Sequence, residues 1–210
     1  MALSRTSVNN FSSLLIDDLI DTFGLKIKND LSFPASQIGQ NLVDFLVKFN
    51  SNIKIEIDYW NEQELIMKHI APIINAVEIY GEHFNTFAER CIAAKLGDFE
   101  LAGIVDFVVA KGKYNPSKPY FFIQEYKKNK QGPNSDPFAQ LLGEMLVAQK
   151  LNEETVVYGC YIIGKFWYFV ILENYNYNQE SPLNSTETED LEVIMSKLNW
   201  IKQYVENKLK

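Results

Sequence analysis

Two apolar segments of the chain contain charged residues that could carry out metal-dependent hydrolysis. Asp106 interrupts the run Leu101–Ala110, and Glu125 and Lys127 interrupt the run Tyr120–Lys128. Burying an unpaired carboxylate is costly, so an acid in a run suited to burial needs a partner. Two carboxylates and an ammonium at one place on a sheet suggest a site for a hard metal ion with a catalytic lysine beside it.

The alternation of side chains along a strand decides which of these groups can meet. Glu125 and Lys127 are two positions apart and therefore point the same way, with Phe121 and Ile123 earlier on that face. If the two strands pair, Asp106 can lie beside them. The competing interpretation is that Glu125 and Lys127 form an exposed cross-strand pair and that Asp106 lies at the end of a strand.

A helix predicted over Asn61–Ile79 supplies a further candidate acid. Its apolar stripe consists of Ile66, Ile70, Ile73 and Val77. Stepping about 100° per residue, Glu62 lies within about 40° of Ile66 on that stripe. The alternative is that Glu62 only stabilises the helix dipole from the first turn. The other acids that compete for the same role are Glu64, Glu78 and Glu82.

The bulk properties favour one folded domain over residues 1–210. A chain of 210 residues can bury a substantial core. A net charge of −7 excludes a broad basic surface, so any contact with nucleic acid must use a local patch. The N-terminal residues lack the apolar run of a signal peptide, and Tyr161–Leu172 is too short to span a bilayer. We therefore expect a cytoplasmic protein without membrane contact, in which Cys91 and Cys160 are reduced, buried thiols.

The periodicity of apolar residues divides the chain into a helical cover (1–58), a core (59–172), and a linker with a C-terminal helix (173–210). The predicted helices are Asn10–Gly24, Ser36–Phe49, Asn61–Ile79, Asp136–Lys150 and Asp190–Leu209. The predicted strands are Phe99–Ala110, Tyr120–Lys128, Thr155–Ile163 and Lys165–Leu172. Phe87–Leu96 fits a strand or a helix, and Glu173–Glu187 reads as a polar linker. His69 is predicted to be a core histidine rather than a ligand.

The next predicted helix after the second charged strand begins at Asp136. Asp136 is a suitable cap, and proline at the next position suits the first turn. Gln140 and Glu144 lie one turn apart on the flank of this helix. A polar loop, Asn129–Ser135, precedes the helix, and Lys128 and Lys130 lie close to Lys127 as the local basic cluster nearest to the charged strands.

The order of these features resembles the PD-(D/E)XK nuclease superfamily, which has the restriction-endonuclease-like fold. Asp106 ends Gly103-Ile104-Val105-Asp106, Glu125-x-Lys127 lies on the next strand, and a helix with Gln140 near its start follows. Glu62 could match the acid that many such nucleases carry on the helix before the sheet. Val105 stands where the family name has proline, a position that varies in the superfamily.

The resemblance covers roughly residues 60–172. Its helix text, NEQELIMKHIAPII, is similar to that segment in type I restriction endonuclease subunits. It implies an α/β (α+β) protein with a central mixed sheet of about five strands, flanked by helices. Additional helices would lie at both termini, outside the nuclease-like core.

The implied activity is hydrolysis of phosphodiester bonds by an endo- or exonuclease, in DNA in preference to RNA, with Mg²⁺ or Mn²⁺ as cofactor. The implied metal ligands are Asp106, Glu125 and Glu62. Lys127 would orient or deprotonate the attacking water, and Gln140 would contact the phosphate or hold Lys127 in place.

Lys128 and Lys130 would contact the DNA backbone if the resemblance extends to substrate binding. Two other functions stay open. A member of the fold without catalytic activity could bind nucleic acid or protein as a subunit, which the net charge of −7 favours. A metal-dependent hydrolase of another substrate is the third, because a fold does not determine a substrate. A homodimer or a partner subunit is compatible with the additional terminal helices.

Overall fold

The protein has a mixed α/β fold, which a computed structural model describes for residues 2–49, 56–127 and 136–210. The α-helices are α1 (Ile16–Phe23), α2 (Gln40–Phe49), α3 (Glu62–Leu65), α4 (Ala71–Val77), α5 (Pro137–Asn152) and α6 (Thr188–Lys208). The longer strands are β3 (Phe84–Leu96), β4 (Phe99–Lys111), β5 (Ser117–Lys127), β6 (Val156–Ile163) and β7 (Phe166–Glu173). The shorter strands are β1 (Asn9–Asn10), β2 (Lys26–Ile27), β8 (Asn176–Gln179) and β9 (Leu183–Asn184). Within the described ranges, no helix has both the length and the apolar character needed to cross a bilayer.

The nine strands of the described ranges belong to one sheet, whose centre is formed by β3 to β7 in sequence order. β5 and β6 run parallel, while the pairs β3–β4, β4–β5 and β6–β7 are antiparallel. A parallel pair requires a long crossover, which α5 provides between β5 and β6. The prediction of about five strands matches this centre, but the sheet has four more strands of two to four residues. Strands that short leave no readable alternation in a sequence.

Two hydrophobic clusters cover the opposite faces of the sheet. On the first, here called the α5 face, Leu141 and Met145 of α5 are fully buried. On the second, here called the α6 face, Ile73 of α4 packs with Ile194 and Leu198 of α6. The strands between them are therefore buried on both sides, which agrees with their nearly continuous apolar sequence.

The predicted helix at Asn61–Ile79 is present as α3 and α4, joined by a π-helical segment, Ile66–Ile70. Asn61 begins it with a capping box: its side chain accepts from the Glu64 N–H at 2.9 Å, and Glu64 Oε2 accepts from the Asn61 N–H at 3.0 Å. The π-helical segment carries His69 into the interior, where Nε2 lies 2.7 Å from Ser185 Oγ. His69 is thus a core histidine, as predicted.

The segment Phe87–Leu96, for which the sequence fits a strand or a helix, is part of the strand β3. The predicted turns at Gly97 and Gly164 are also present. Gly97 connects β3 to β4, and Gly164 connects β6 to β7. Both glycines have left-handed backbone, with φ of 62° and 57°. Glycine adopts this conformation without steric cost, which explains why these short turns could be recognised.

The two N-terminal helices begin later than predicted. Asn10 does not start α1; its side chain caps a separate 3₁₀ turn, Phe11–Ser13. Ser36, the predicted start of α2, instead donates its N–H to the carbonyl of Ser196 in α6. In both segments a tertiary contact or a local cap replaces the first helical turns.

The segment Glu173–Glu187 is not an unstructured linker, because it contains β8 and β9. The backbone of β8 pairs with β7 on one side and β2 on the other. Tyr177 of β8 is buried, with its ring centroid 5.5 Å from that of Phe138 in α5. Cys160 is buried as expected, whereas Cys91 is exposed on β3.

Phe121 does not share a face with Ile123, which corrects the alternation predicted for β5. Ile123 belongs to the α5 face and Phe121 to the α6 face. A register shift beside Val109 and Ala110 makes Phe121 the additional residue of a β-bulge. Its ring packs against Tyr204 of α6, with 6.3 Å between centroids.

Candidate active site

Asp106 lies where β4 and β5 cease to pair. The last paired residues at this end of the two strands are Phe107 and Gln124. One position further along, the Asp106 side chain takes the place of the backbone ladder: its Oδ2 accepts a hydrogen bond from the Tyr126 N–H at 2.8 Å. The carboxylate is therefore held at a fork between two strands, partly exposed.

Glu125 and Lys127 meet on β5, on the side that faces α5. Lys127 Nζ donates a hydrogen bond to Glu125 Oε1 over 2.5 Å. Glu125 has no exposed surface, whereas the Lys127 side chain keeps 17% of its surface exposed. This burial rules out the interpretation of the pair as an exposed surface contact. Among the described residues, Glu125 Oε2 has no hydrogen-bond partner.

The pKa values of the two groups shift in the same direction for different reasons. Burial, reinforced by the carboxylate of Asp106, raises the pKa of Glu125 to about 8. Burial alone would lower the pKa of Lys127, but the negative charges of Glu125, Asp106 and Glu62 outweigh it and raise that pKa. Glu125 therefore holds a proton at neutral pH while Lys127 stays charged. Such a buried carboxyl, next to a second one, is a place where a divalent cation can replace a proton.

Glu144 of α5 is a buried acid to which the sequence pattern assigned no role. Its Oε1 accepts a hydrogen bond from Gln140 Nε2 at 3.3 Å, and its Oε2 has no partner within the described part of the chain. Burial, with the charge of Glu125, raises the pKa of Glu144. Gln140 is 8% exposed, and its amide is directed to Glu144. The one available signal was an acid inside an otherwise apolar helix.

A cavity of about 340 Å³ opens beside Asp106, between the α3–α4 run and the strands β3 and β4. Three acids line it: Glu62 from the first turn of α3, Glu89 from β3, and Asp106. Tyr126 of β5 also lines the cavity. The sequence pattern did not identify Glu89, because strand residues with left-handed backbone have no readable signature.

Glu62 is the candidate helix acid that reaches this cavity. Glu64 is used in the capping box and accepts from Lys68 Nζ at 3.0 Å. Glu78 ends α4 with left-handed backbone, and Glu82 is exposed. Neither Glu78 nor Glu82 lines the cavity. The structure therefore places Glu62 with Asp106 at the cavity, and Asp106 next to Glu125, which binds Lys127. Neither Glu125 nor Lys127 lines the cavity, and Gln140 lies behind them on α5. Lys128 and Lys130 lie outside the described residues.

The acids of the site fit a hard cation that keeps part of its water shell. Over residues 2–49, 56–127 and 136–210, no three His, Cys, Asp or Glu side chains are gathered closely enough to hold a metal ion by themselves. Protein sites for Mg²⁺ commonly use one or two carboxylates, with water and substrate phosphate completing the shell. Asp106 and Glu125 interact directly, and the unpartnered, buried Oε2 of Glu125 is an oxygen that such an ion could use.

Comparisons with known proteins add little to this geometry. No family model matches the chain, and no curated protein matches it. Among solved structures, the one called "Crystal structure of SSO0001" is similar at 13% sequence identity, over 80% of this chain and 78% of that chain, with a TM-score of 0.27. A likeness of that size carries no conclusion about fold or function.

Proposed function

We propose that this chain is a metal-dependent nuclease with a restriction-endonuclease-like core, which hydrolyses phosphodiester bonds in DNA. The observation that carries the proposal is the meeting of Asp106, Glu125 and Lys127 at the fork between β4 and β5. Glu62, from the helix before the sheet, lines the cavity beside Asp106. These are residues that the PD-(D/E)XK resemblance implies, and the proximity of Asp106 to Glu125 and to Glu62 supports the proposal.

Asp106 and Glu125 would hold the Mg²⁺ or Mn²⁺ ion, and Glu62 would contribute directly or through water. The bound ion would stabilise negative charge on the phosphate and lower the pKa of the attacking water. Glu125 must first release the proton that burial keeps on it. Because Lys127 occupies Oε1 of Glu125, Oε2 is the oxygen left for the ion.

Lys127 would orient the attacking water and balance negative charge, rather than abstract a proton. A general base works best when its pKa lies near the working pH. The surrounding carboxylates raise the pKa of Lys127 above its ordinary value, so the ammonium keeps its protons. A charged, partly exposed ammonium fixed on Glu125 suits the stabilisation of a phosphate that gains charge.

Gln140 would act behind the site, through Glu144, since its amide donates to that carboxyl and little of it is exposed. DNA contact would come from Lys128 and Lys130, which follow Lys127 in the sequence. The carboxylates around the cavity repel a phosphate backbone, so these lysines and the bound cation together would have to offset that repulsion.

The direct test is nicking of supercoiled plasmid DNA with Mg²⁺, with Mn²⁺, and with a chelator. Asp106→Ala and Lys127→Ala should each lower the rate by roughly 10²–10³-fold. Asp98→Ala and Lys95→Ala are matched controls, because both residues are exposed on the β3–β4 hairpin, and their rates should equal that of the wild type. Equal nicking by the wild type and both site variants, or no nicking with any divalent ion, would contradict the proposal.

A non-catalytic member of the same fold is the second candidate, and the net charge of −7 favours it. Such a protein would bind nucleic acid or a protein partner equally well with and without Mg²⁺. Titration of labelled duplex DNA in Mg²⁺ and in chelator separates the two functions. Tight binding that Mg²⁺ does not change, without nicking, would support this second candidate.

A further inference from the structure

Glu89 has an unusual backbone for a residue in the middle of a strand. Its φ is 51°, in the left-handed region, although it lies within the 13-residue strand β3. Non-glycine residues adopt this region at a cost of roughly 1–2 kcal/mol. Strain of this kind persists where the surrounding structure requires it, often beside a functional site.

The register of the β3–β4 hairpin is interrupted opposite Glu89. Ala88 pairs with Phe107 and Arg90 pairs with Val105, but Glu89 and Asp106 do not pair. Every other residue from Phe99 to Lys111 has a partner on β3. The interruption therefore coincides with the acid that the proposed site depends on.

Both strands exchange their faces at this point. Val105 packs on the α5 face and Phe107 on the α6 face, although residues two apart on a regular strand share a face. On β3, Phe87 and Ile92 both pack on the α5 face, although they are an odd number of positions apart. A regular ladder would produce neither pattern, so the backbone rotates at Glu89 and Asp106.

The rotation directs Asp106 to the fork instead of into one of the two apolar clusters. There its carboxylate accepts from the Tyr126 N–H and lines the cavity. The Arg90 guanidinium closes the interrupted ladder on the other strand by donating to the carbonyls of Ala88 at 2.6 Å and Glu89 at 3.3 Å. The interruption leaves one residue unpaired on each strand, so it is not a bulge, but it redirects a side chain beside the candidate site as a bulge can.

We propose that Glu89 is a positioning residue that acts through its left-handed backbone, which holds the Asp106 carboxylate at the fork. This inference rests on the proposed function for its catalytic consequence, but its structural part is independent of that function. The Glu89 carboxylate itself is not required. Only the backbone conformation is.

Two substitutions separate the backbone from the carboxylate. Glu89→Gly removes the carboxylate and adopts positive φ freely, so nicking should stay within about threefold of the wild type. Glu89→Val disfavours positive φ because its Cβ is branched, and displacement of Asp106 by even 1 Å should lower nicking by roughly 10²-fold. Glu89→Gln, which keeps the size and backbone preference of Glu89, is the matched control and should behave as the glycine variant does.

Amide hydrogen exchange at Tyr126 tests the same inference without any nuclease activity. The Tyr126 N–H donates to Asp106, so exchange should be slow in the wild type and in Glu89→Gly. It should accelerate about tenfold or more in Glu89→Val and in Asp106→Ala, where that acceptor is displaced or absent. Slow exchange in β6 and β7 of each variant shows that the sheet has folded, because these strands are remote from Glu89.

Slow Tyr126 exchange in Glu89→Val, or fast exchange in Glu89→Gly, overturns the inference. Loss of nicking in Glu89→Gly with slow exchange also overturns it, because the carboxylate would then be the required group. If the wild type does not nick DNA at all, the proposed function fails, and the exchange rates alone decide the role of Glu89.

Discussion

Lys127 Nζ donates to Glu125 Oε1 over 2.5 Å, but the two side chains differ sharply in exposure. Glu125 is completely buried, whereas Lys127 reaches solvent. The ammonium of Lys127 is therefore hydrogen-bonded to a carboxyl group that is inaccessible to solvent. Burial and the neighbouring Asp106 keep a proton on this acid, so its ionisation should be measurable in the stability of the protein.

The ionisation of Glu125 should contribute a decrease in the free energy of unfolding as pH rises from about 4.5 to about 8, which the buried His69 opposes below about pH 6.5. The pKa of Glu125 is about 8 in the folded protein, against an ordinary value of 4.5. Between these values the unfolded chain has released the proton and the folded chain has kept it, so stability decreases by up to about 1.4 kcal/mol per pH unit. Glu125→Gln removes this ionisation and should flatten the dependence. Urea unfolding at pH 5.5 and 7.5 measures this pH dependence for the wild type and for Glu125→Gln.

Glu192→Gln is the control for the pH series, because Glu192 is exposed on α6 and its substitution should leave the slope unchanged. Burial also raises the pKa of Glu144, so part of the slope should survive in Glu125→Gln. Equal slopes in the wild type and in Glu125→Gln would contradict the proton on Glu125.

Divalent cations should stabilise the protein, and Asp106 should be required for the effect. A ligand present at a hundredfold excess over its Kd raises the free energy of unfolding by about 2.7 kcal/mol, which corresponds to roughly 5–10 °C in Tm for a chain of this size. Asp106→Asn keeps the size of the side chain but removes its charge, so this increase should disappear. Thermal unfolding with Mn²⁺ or with a chelator measures it. Asp98→Asn, on the exposed hairpin, should respond as the wild type does.

The same titration should depend on pH, because the ion must displace the proton of Glu125. Cation binding should strengthen as pH rises through about 8, with proton uptake by the buffer. Calorimetry at pH 6.5 and 8.5 in two buffers of different ionisation enthalpy measures the released protons. Binding that is independent of pH and of Asp106 would place the cation somewhere else on the surface.

The strand pair and the helix α5 could be predicted because local signals and tertiary structure agree there. Asp136 accepts hydrogen bonds from the N–H groups of Phe138 and Ala139, as an Asp-Pro start predicts. The meeting of Glu125 and Lys127 follows from the period of a strand. The position of Glu62 beside Asp106 at the cavity does not follow from any local pattern, since it depends on how α3 packs against the sheet.

The features that the sequence did not reveal all depend on distant contacts. β8 forms in a polar segment because β7 and β2 supply its hydrogen-bond partners. A bulge moves Phe121 to the other face of β5, and the left-handed backbone of Glu89 rotates β3. Neither irregularity can be recognised in the pattern of apolar residues. Period-2 alternation therefore located the acids on their strands, but it could not show which way the backbone rotates at the site.

His69 should make the protein less stable in mild acid. Burial lowers the pKa of His69 to about 4, while its ordinary value is 6.5. As pH falls between these values the unfolded chain takes up a proton that the folded chain does not, so the free energy of unfolding decreases. His69→Gln removes the titration, and the difference from the wild type in urea unfolding at pH 6.5 and 4.5 isolates it. His83→Gln, at the exposed histidine, should leave the dependence unchanged.

Gly143 should not tolerate alanine, although it lies inside α5. In an isolated helix this change would stabilise by about 1 kcal/mol. Here a Cβ would overlap Leu14 Cδ1, and Leu14 is buried against the α5 face. Overpacking of a tight core costs roughly 1–3 kcal/mol, so Gly143→Ala should lower the free energy of unfolding.

A double variant tests whether Leu14 causes this loss. In Gly143→Ala combined with Leu14→Ala, the added methyl group fills part of the space that Leu14 leaves, so the double variant should be more stable than the sum of the single changes predicts. Additive effects in urea unfolding would show that the two residues do not meet.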